Sequence, residues 1–113
     1  MKTLLQACWL LLFFAAKLVA FPYQGAHLIE SLGLEQGLSQ ATAVVTLQDS
    51  QGYIWVGTQD GLNRYDGKNF LQYRYRVNNE RSLSGNYVSG LALDGQQRLW
   101  VLTPQGLNLY QAE

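Results

Sequence analysis

Residues 38–65 read LSQATAVVTLQDSQGYIWVGTQDGLNRY, and residues 83–110 read LSGNYVSGLALDGQQRLWVLTPQGLNLY. The two stretches lie 45 residues apart and align without a gap, with 11 identical residues among 28 positions. The chain therefore contains an internal repeat. The identical pairs are Leu38/Leu83, Ser39/Ser84, Asp49/Asp94, Gln51/Gln96, Trp55/Trp100, Val56/Val101, Thr58/Thr103, Gly61/Gly106, Leu62/Leu107, Asn63/Asn108 and Tyr65/Tyr110.

Each repeat is composed of short strand-like segments separated by turn residues. A period of roughly 40–50 residues with about four strands per copy is typical of β-propeller blades. The sequence therefore predicts an all-β fold, a partial β-propeller of about two blades, each a four-stranded antiparallel meander. In the first copy the segments are 42–48, 53–58, 62–66 and 69–75, rich in β-branched and aromatic residues.

The second copy supplies segments 87–93, 98–103 and 107–110, and the counterpart of the fourth segment would fall at 114–120. A closed propeller needs about four to eight blades. We therefore expect the chain to be an N-terminal fragment of a longer propeller protein. The predicted organisation is a signal peptide at 1–20, an entry strand and loop at 21–36, blade 1 at 37–81 and an incomplete blade 2 at 82–113.

The N-terminus has the pattern of a secretory signal. Lys2 precedes an apolar stretch from Leu4 to Ala16, and Ala20 is the best cleavage position. This pattern predicts a signal-peptide helix and a periplasmic or exported chain. The alternative is an uncleaved inner-membrane anchor over residues 4–21, which Lys17 would interrupt.

Composition beyond residue 20 excludes several classes of site. The single cysteine is Cys8, so the exported part can hold neither a disulfide nor a thiolate-based metal site. Six Lys/Arg and eight Asp/Glu leave a net charge of −2, which gives no electrostatic reason to bind nucleic acid. Contact with a membrane is expected only through the signal peptide or an uncleaved anchor.

The repeated residues are interpreted as structural. Large aromatic side chains such as Trp55 and Trp100 are expected to pack between blades, Trp100 being more exposed because its outer neighbour is absent. No catalytic, cofactor-binding or metal-ligating residue is predicted. The structural set is Asp49, Gly52, Trp55, Gly57, Gly61, Leu62, Asn63, Tyr65, Asp94, Trp100, Gly106, Leu107, Asn108 and Tyr110.

Two features could point to a site. The aspartates Asp49, Asp60, Asp66 and Asp94 could hold calcium, but each lies one to three residues before a turn glycine, and they are interpreted as turn formers. The segments 61–63 and 106–108 would, by analogy with complete rings, lie near the rim or channel where propellers bind ligands. Fold-level analogy assigns no ligand residue.

Residues 37–70, GLSQATAVVTLQDSQGYIWVGTQDGLNRYDGKNF, resemble the two-component regulator propeller repeat. The most specific parts are DSQGYIWVGT at 49–58 and DGLNRYDG at 60–67. The resemblance implies the exported sensor region of a bacterial hybrid histidine kinase or diguanylate cyclase. The second copy departs from the pattern where Leu102 replaces Gly57 and Gln105 replaces Asp60.

Three functions are compatible with this sequence. The first is a periplasmic propeller sensor fragment of a signal-transduction protein, whose unknown small-molecule or protein ligand binds through blades outside this chain. The alternatives are a blade pair of a quinoprotein-type dehydrogenase and a structural envelope scaffold. No kinase, cyclase or DNA-binding motif occurs in the 113 residues. The chain itself is therefore expected to have no enzymatic activity and no cofactor.

Overall fold

A computed structural model describes Gly25 and residues 28–112. The predicted signal peptide, its helix and its cleavage position at Ala20 lie outside the described residues. The described part of the larger compact unit is residues 31–112.

Seven strands form two antiparallel sheets. The first sheet has the order β1-β2-β3-β4 and the second the order β5-β6-β7, so both are meanders. We call them blade 1 and blade 2. This architecture confirms the predicted all-β fold of two propeller blades. The strands are β1 Ala43–Gln48, β2 Ile54–Thr58, β3 Gly61–Tyr65, β4 Phe70–Tyr73, β5 Gly90–Leu93, β6 Leu99–Thr103 and β7 Gly106–Leu109.

Two strands are shorter than predicted because residues at their predicted ends make hydrogen bonds outside their own sheet. β4 ends at Tyr73, and two residues later the Tyr75 N–H donates to Asn86 Oδ1 at 2.9 Å. β5 begins at Gly90, because the Val88 N–H donates instead to the Thr58 carbonyl of blade 1 at 2.9 Å. The connection thereby ties blade 2 to the end of β2.

The segment before blade 1 also differs from expectation. Residues 28–33 carry no strand, and Leu34–Gln36 form a single turn of 3-10 helix. Gly37 ends that turn with φ +102°, a left-handed conformation that favours glycine. Within its described residues, the predicted entry strand is therefore absent.

The hydrophobic core lies between the two blades. Its fully buried members come from both sheets and from the connection, and the strands β1 and β5 lie side by side. Trp55 is 1% exposed, whereas Trp100, at the equivalent position of blade 2, is half-buried. The predicted asymmetry between the two tryptophans is confirmed. The core members are Trp55, Leu62, Leu83, Val88, Leu99 and Val101.

The absence of a side chain at Gly57 lets the blades approach each other. A Cβ at this position would lie 2.5 Å from Val88 Cγ1 and 2.8 Å from Val45 Cγ1, closer than real Cβ atoms approach. In blade 1 Gly57 pairs with Val45 of β1. In blade 2 the residue equivalent to Gly57 is Leu102, and it pairs with Gly90 of β5. In blade 1 the larger residue of the pair, Val45, lies on β1 and the glycine on β2. In blade 2 the larger residue, Leu102, lies on β6 and the glycine on β5.

Candidate functional site

An open cleft of about 210 Å³ lies between the two blades and combines apolar, aromatic and charged side chains. It is bounded by the β1–β2 turn of blade 1 and by residues 97–99 of blade 2. This cleft is the candidate site. Its lining is Asp49, Ser50, Gln51, Trp55, Leu93, Gln97, Arg98, Leu99, Tyr110 and Ala112.

The carboxylate of Asp49 is fully engaged by its own blade. Its Oδ1 accepts the backbone N–H groups of Gln51 at 2.9 Å and Tyr53 at 3.0 Å. Its Oδ2 accepts the indole N–H of Trp55 at 2.8 Å. This aspartate closes the β1–β2 turn and fixes the orientation of the core tryptophan.

Asp94 repeats this arrangement in blade 2. Its carboxylate accepts the backbone N–H groups of Gln96 and Arg98 and the Trp100 indole N–H at 2.9 Å. The Arg98 guanidinium adds an ion pair at 2.7 Å. The Trp100 indole and then the Arg98 backbone N–H hold the pKa of Asp94 well below its usual value of 3.8. Asp94 therefore remains ionised in acid solution.

This lowered pKa predicts how the stability of the protein depends on pH. The stabilising contribution of a carboxyl with a depressed folded-state pKa is complete above the unfolded value and is lost as pH falls towards the folded one. The free energy of unfolding should therefore decrease below about pH 4. The free energy of unfolding of Asp94→Asn should be lower than that of the wild type at pH 7 and should fall less on acidification. Urea denaturation at pH 2–7 measures both. Glu35→Gln, at an exposed position, should retain the wild-type profile; an unchanged profile in Asp94→Asn would contradict the assignment.

Asp66 and Asp60 hold turns in different ways. Asp66 Oδ1 accepts the N–H groups of Lys68 and Asn69, both at 2.8 Å, and the Asn69 N–H is the largest cause of its lowered pKa. Asp60 lies in the β2–β3 turn, but its carboxylate pairs with Arg74 at 3.1 Å. No group of three or more His, Cys, Asp or Glu able to hold a metal occurs in the part of the chain that the structure describes.

A second repeated arrangement is polar and buried. Asn63 Oδ1 accepts the Ser39 N–H at 3.0 Å, and its Nδ2 donates to Ser39 Oγ at 2.8 Å and to the Val56 carbonyl at 3.2 Å. Thr58 Oγ1 lies 2.8 Å from Ser39 Oγ. Ser84, Thr103 and Asn108 reproduce these bonds in blade 2 within 0.2 Å. The Ser–Thr–Asn cluster ties the segment entering each blade to its β2–β3 or β6–β7 hairpin.

The Ser–Thr–Asn cluster involves segments 61–63 and 106–108, which were expected by analogy to lie near a ligand-binding rim or channel. Residues 61–63 are buried, Asn63 is 0% exposed, and its amide is satisfied within the blade. In blade 2 the equivalent of Leu62 is Leu107, which is 62% exposed among the described residues. Residues 61–63 therefore belong to the packed, hydrogen-bonded interior of the hairpin.

The cluster also supports a prediction about stability. Thr58→Val removes a hydroxyl that is 0% exposed and donates to the Gly61 carbonyl at 3.1 Å. The cost should be about 1–3 kcal/mol, because buried partners are left unsatisfied. Thr42→Val, at an exposed position, is the control and should change the free energy of unfolding by less than about 0.5 kcal/mol. Equal effects in urea denaturation would show that the cluster does not stabilise the blade.

Aromatic rings and a cation join the blades beside the cleft. The Arg64 guanidinium lies 4.5 Å from the Tyr53 ring centroid and donates to the Tyr110 hydroxyl at 3.3 Å. Tyr110 meets Trp55 edge-on, with ring centroids 4.8 Å apart. Sequence reasoning missed Arg64, because only the fold brings it against aromatic residues of both blades. These stacking and cation–π contacts therefore hold the two blades together beside the cleft.

In the described part of the chain, no helix has the length and apolarity needed to cross a membrane.

Comparisons with known proteins agree with the repeat pattern. Residues 37–60 and 82–105 match the family described as two component regulator propeller. A stretch of 48 residues, 42% of this chain, is 46% identical to Histidine kinase P4 of Formosa agariphila. A crystal structure of the extracellular domain of a hybrid two component system from B. thetaiotaomicron covers 76% of this chain at 32% identity, with a TM-score of 0.63. The chain spans 4% of that kinase and 14% of that solved chain.

Proposed function

This chain carries two repeats of the two-component regulator propeller family, and we propose that they form part of the exported, ligand- or partner-sensing propeller region of a bacterial signal-transduction protein. The observation that carries the proposal is the pair of family repeats folded as adjacent blades. The similar solved structure is an extracellular domain of a two component system, and the similar curated protein is a histidine kinase. The chain's own N-terminal pattern of Lys2 followed by an apolar stretch supports export.

The inter-blade cleft is the proposed contribution of these two blades to sensing. It brings Trp55 and Tyr110 together with Arg98, and it spans a turn of each blade. A ligand that touches both turns would bind one relative arrangement of the blades better than others. A ligand can shift the equilibrium between two arrangements of the blades only if it binds one arrangement more tightly than the other, and sensing requires such a shift.

Reading the gene beyond codon 113 tests the proposed parent protein. The proposal expects further repeats of about 45 residues, then a membrane span and a histidine kinase or cyclase domain. A quinoprotein-type dehydrogenase, with a redox-cofactor site on the following blades, would overturn it.

Export is tested by fusing alkaline phosphatase, which is active only outside the cytoplasm, to residue 113. The full chain should yield high phosphatase activity in whole cells, because its first 20 residues direct secretion. The matched control lacks residues 2–20 and should be inactive at equal expression. Equal activity of the two fusions would contradict the proposed localisation.

A further inference from the structure

The connection between β4 and β5, residues 74–89, concentrates positive charge. It contains three arginines and one glutamate, whereas the rest of the chain beyond residue 20 contains three Lys or Arg and seven Asp or Glu. The connection is therefore a basic segment on a protein that is otherwise acidic. Its charged residues are Arg74, Arg76, Glu80 and Arg81.

Two of these arginines are exposed and available to a partner. The Arg74 guanidinium pairs with Asp60 at 3.1 Å. Among the described residues, the guanidinium groups of Arg76 and Arg81 neither pair with a carboxylate nor make a hydrogen bond, and both side chains are exposed. A guanidinium binds a carboxylate through two parallel hydrogen bonds. The connection therefore offers two free sites for carboxylates.

Hydrogen bonds within the connection hold these two arginines beside each other. Ser82 Oγ accepts the Arg76 N–H at 2.9 Å and donates to the Asn79 carbonyl at 2.8 Å. Asn79 Oδ1 accepts the Arg81 N–H at 2.9 Å. The backbone of this loop is therefore ordered in the absence of a partner, which lowers the entropic cost of binding one.

Exposed aromatic and apolar side chains accompany the arginines. Tyr75 is 47% exposed, Val77 72% and Tyr87 40%. The Tyr75 N–H donates to Asn86 Oδ1 at 2.9 Å, which brings the two ends of the connection together. Tyrosine and arginine are enriched at protein interfaces and among the residues that dominate binding energy. The connection patch is defined as Tyr75, Arg76, Val77, Arg81 and Tyr87.

The connection patch and the inter-blade cleft lie at opposite ends of β2. The connection bonds to the Thr58 carbonyl and the Gly61 N–H, next to the β2–β3 turn. The cleft lies beside the β1–β2 turn. Propeller blades are arranged side by side around a central axis, so a neighbouring blade covers the face of a sheet and leaves its hairpin ends uncovered. The patch is therefore separate from the cleft and from the faces on which blades pack.

We propose that the connection patch binds an acidic segment of a protein partner, whose Asp or Glu carboxylates pair with Arg76 and Arg81. Apolar side chains of the same segment contact Val77 and the two tyrosines. A protein segment supplies both kinds of group, whereas recognition of an anionic membrane surface takes a cluster of about four to eight basic residues. The inference rests on the connection alone and is independent of the proposed sensing function.

Fluorescence anisotropy with the full 113-residue chain tests the proposal. The probe is a fluorescein-labelled peptide of twelve residues that contains six Glu and two Leu, and the control peptide carries Gln in place of Glu. The chain should bind the probe saturably, should not bind the Gln peptide, and should bind the probe more weakly as the salt concentration rises, because salt screens exposed charges.

Variants of the patch locate the binding. Arg76→Gln and Arg81→Gln should each weaken binding of the probe at least five-fold, and Val77→Ser at least two-fold. The matched control is Lys68→Gln, which removes one exposed positive charge from the β3–β4 turn and should weaken binding less than two-fold. Far-ultraviolet circular dichroism should be the same for all four variants, because each position is exposed.

Three results would overturn the proposal. The first is no binding of the probe at about 1 mM peptide at low salt, where attraction between charges is strongest. The second is equal weakening by Lys68→Gln and by the arginine variants, which would mean general attraction between charges. The third is tighter binding to polygalacturonate, a polysaccharide with carboxylates, or to vesicles of phosphatidylcholine and phosphatidylserine than to the peptide.

Discussion

Replacing Trp55 by alanine is expected to lower the free energy of unfolding by about 3–5 kcal/mol, the range for truncating a large buried aromatic residue. The indole is 1% exposed and packs against Tyr110 of blade 2 and Tyr73 of β4. Its removal opens a cavity between the blades and leaves Asp49 Oδ2 without the indole N–H. The measurement is urea denaturation followed by far-ultraviolet circular dichroism at low protein concentration.

The matched control is Trp100→Ala. Trp100 makes the same hydrogen bond to Asp94, at 2.9 Å, but it is half-buried. Its truncation should cost less than half as much as that of Trp55. The difference between the two variants isolates packing between the blades from the hydrogen bond within each blade. Equal losses would mean that Trp55 does not pack in an inter-blade core.

Gly57→Leu is expected to destabilise the protein by about 2–4 kcal/mol, because overpacking a close-packed core forces side chains or strands apart. The added Cβ alone would lie 2.5 Å from Val88 Cγ1. Blade 2 already carries leucine at the equivalent position, where Gly90 is its strand partner. The same substitution should therefore be tolerated when its surroundings are made to resemble blade 2.

A compensated variant tests this explanation. Combining Gly57→Leu with Val45→Gly and Val88→Ala should recover at least half of the stability lost in Gly57→Leu alone. The control adds Val44→Gly in place of Val45→Gly, at a β1 residue that is 39% exposed, and should recover less. Failure of the compensated variant to exceed the control would show that volume exchange does not explain the two repeats.

Strand placement was predictable because the repeat gives each strand and turn twice. Segments 53–58 and 98–103 were placed within one residue of β2 and β6. Each of these segments of aromatic and β-branched residues is bounded on both sides by turn residues. The turn residues leave the ends of the predicted strand little freedom to shift. The burial difference between Trp55 and Trp100 was predictable for the same reason, since among the described residues only Trp55 is followed by another blade.

Contacts distant in sequence were not predictable. Ser39 lies before the first predicted strand, and its bonds to Asn63 span 24 residues. The shortened β4 and β5 depend on bonds from Asn86 and Val88 to blade 1, which sequence propensity does not encode. The conserved spacing of Ser, Thr and Asn in both copies was the available signal. Buried polar clusters are usually satisfied by such distant partners.

The cleft was beyond sequence reasoning for a different reason. It is formed by turns of separate repeats, and Arg98 and Trp55 reach it from different blades. Pattern analysis of one repeat assigns both residues to strand or turn positions and gives no sign that they meet. Only the angle and spacing between the blades bring them together.

The most direct test of the account is a nuclear Overhauser measurement between the aromatic rings of Trp55 and Tyr110. These residues lie 55 positions apart in sequence, and their ring centroids are 4.8 Å apart across the blade junction. The account predicts strong cross-peaks between the two rings, and these should persist on dilution. Absence of these cross-peaks from a folded, β-rich chain would contradict the claim that the two repeats pack as adjacent propeller blades.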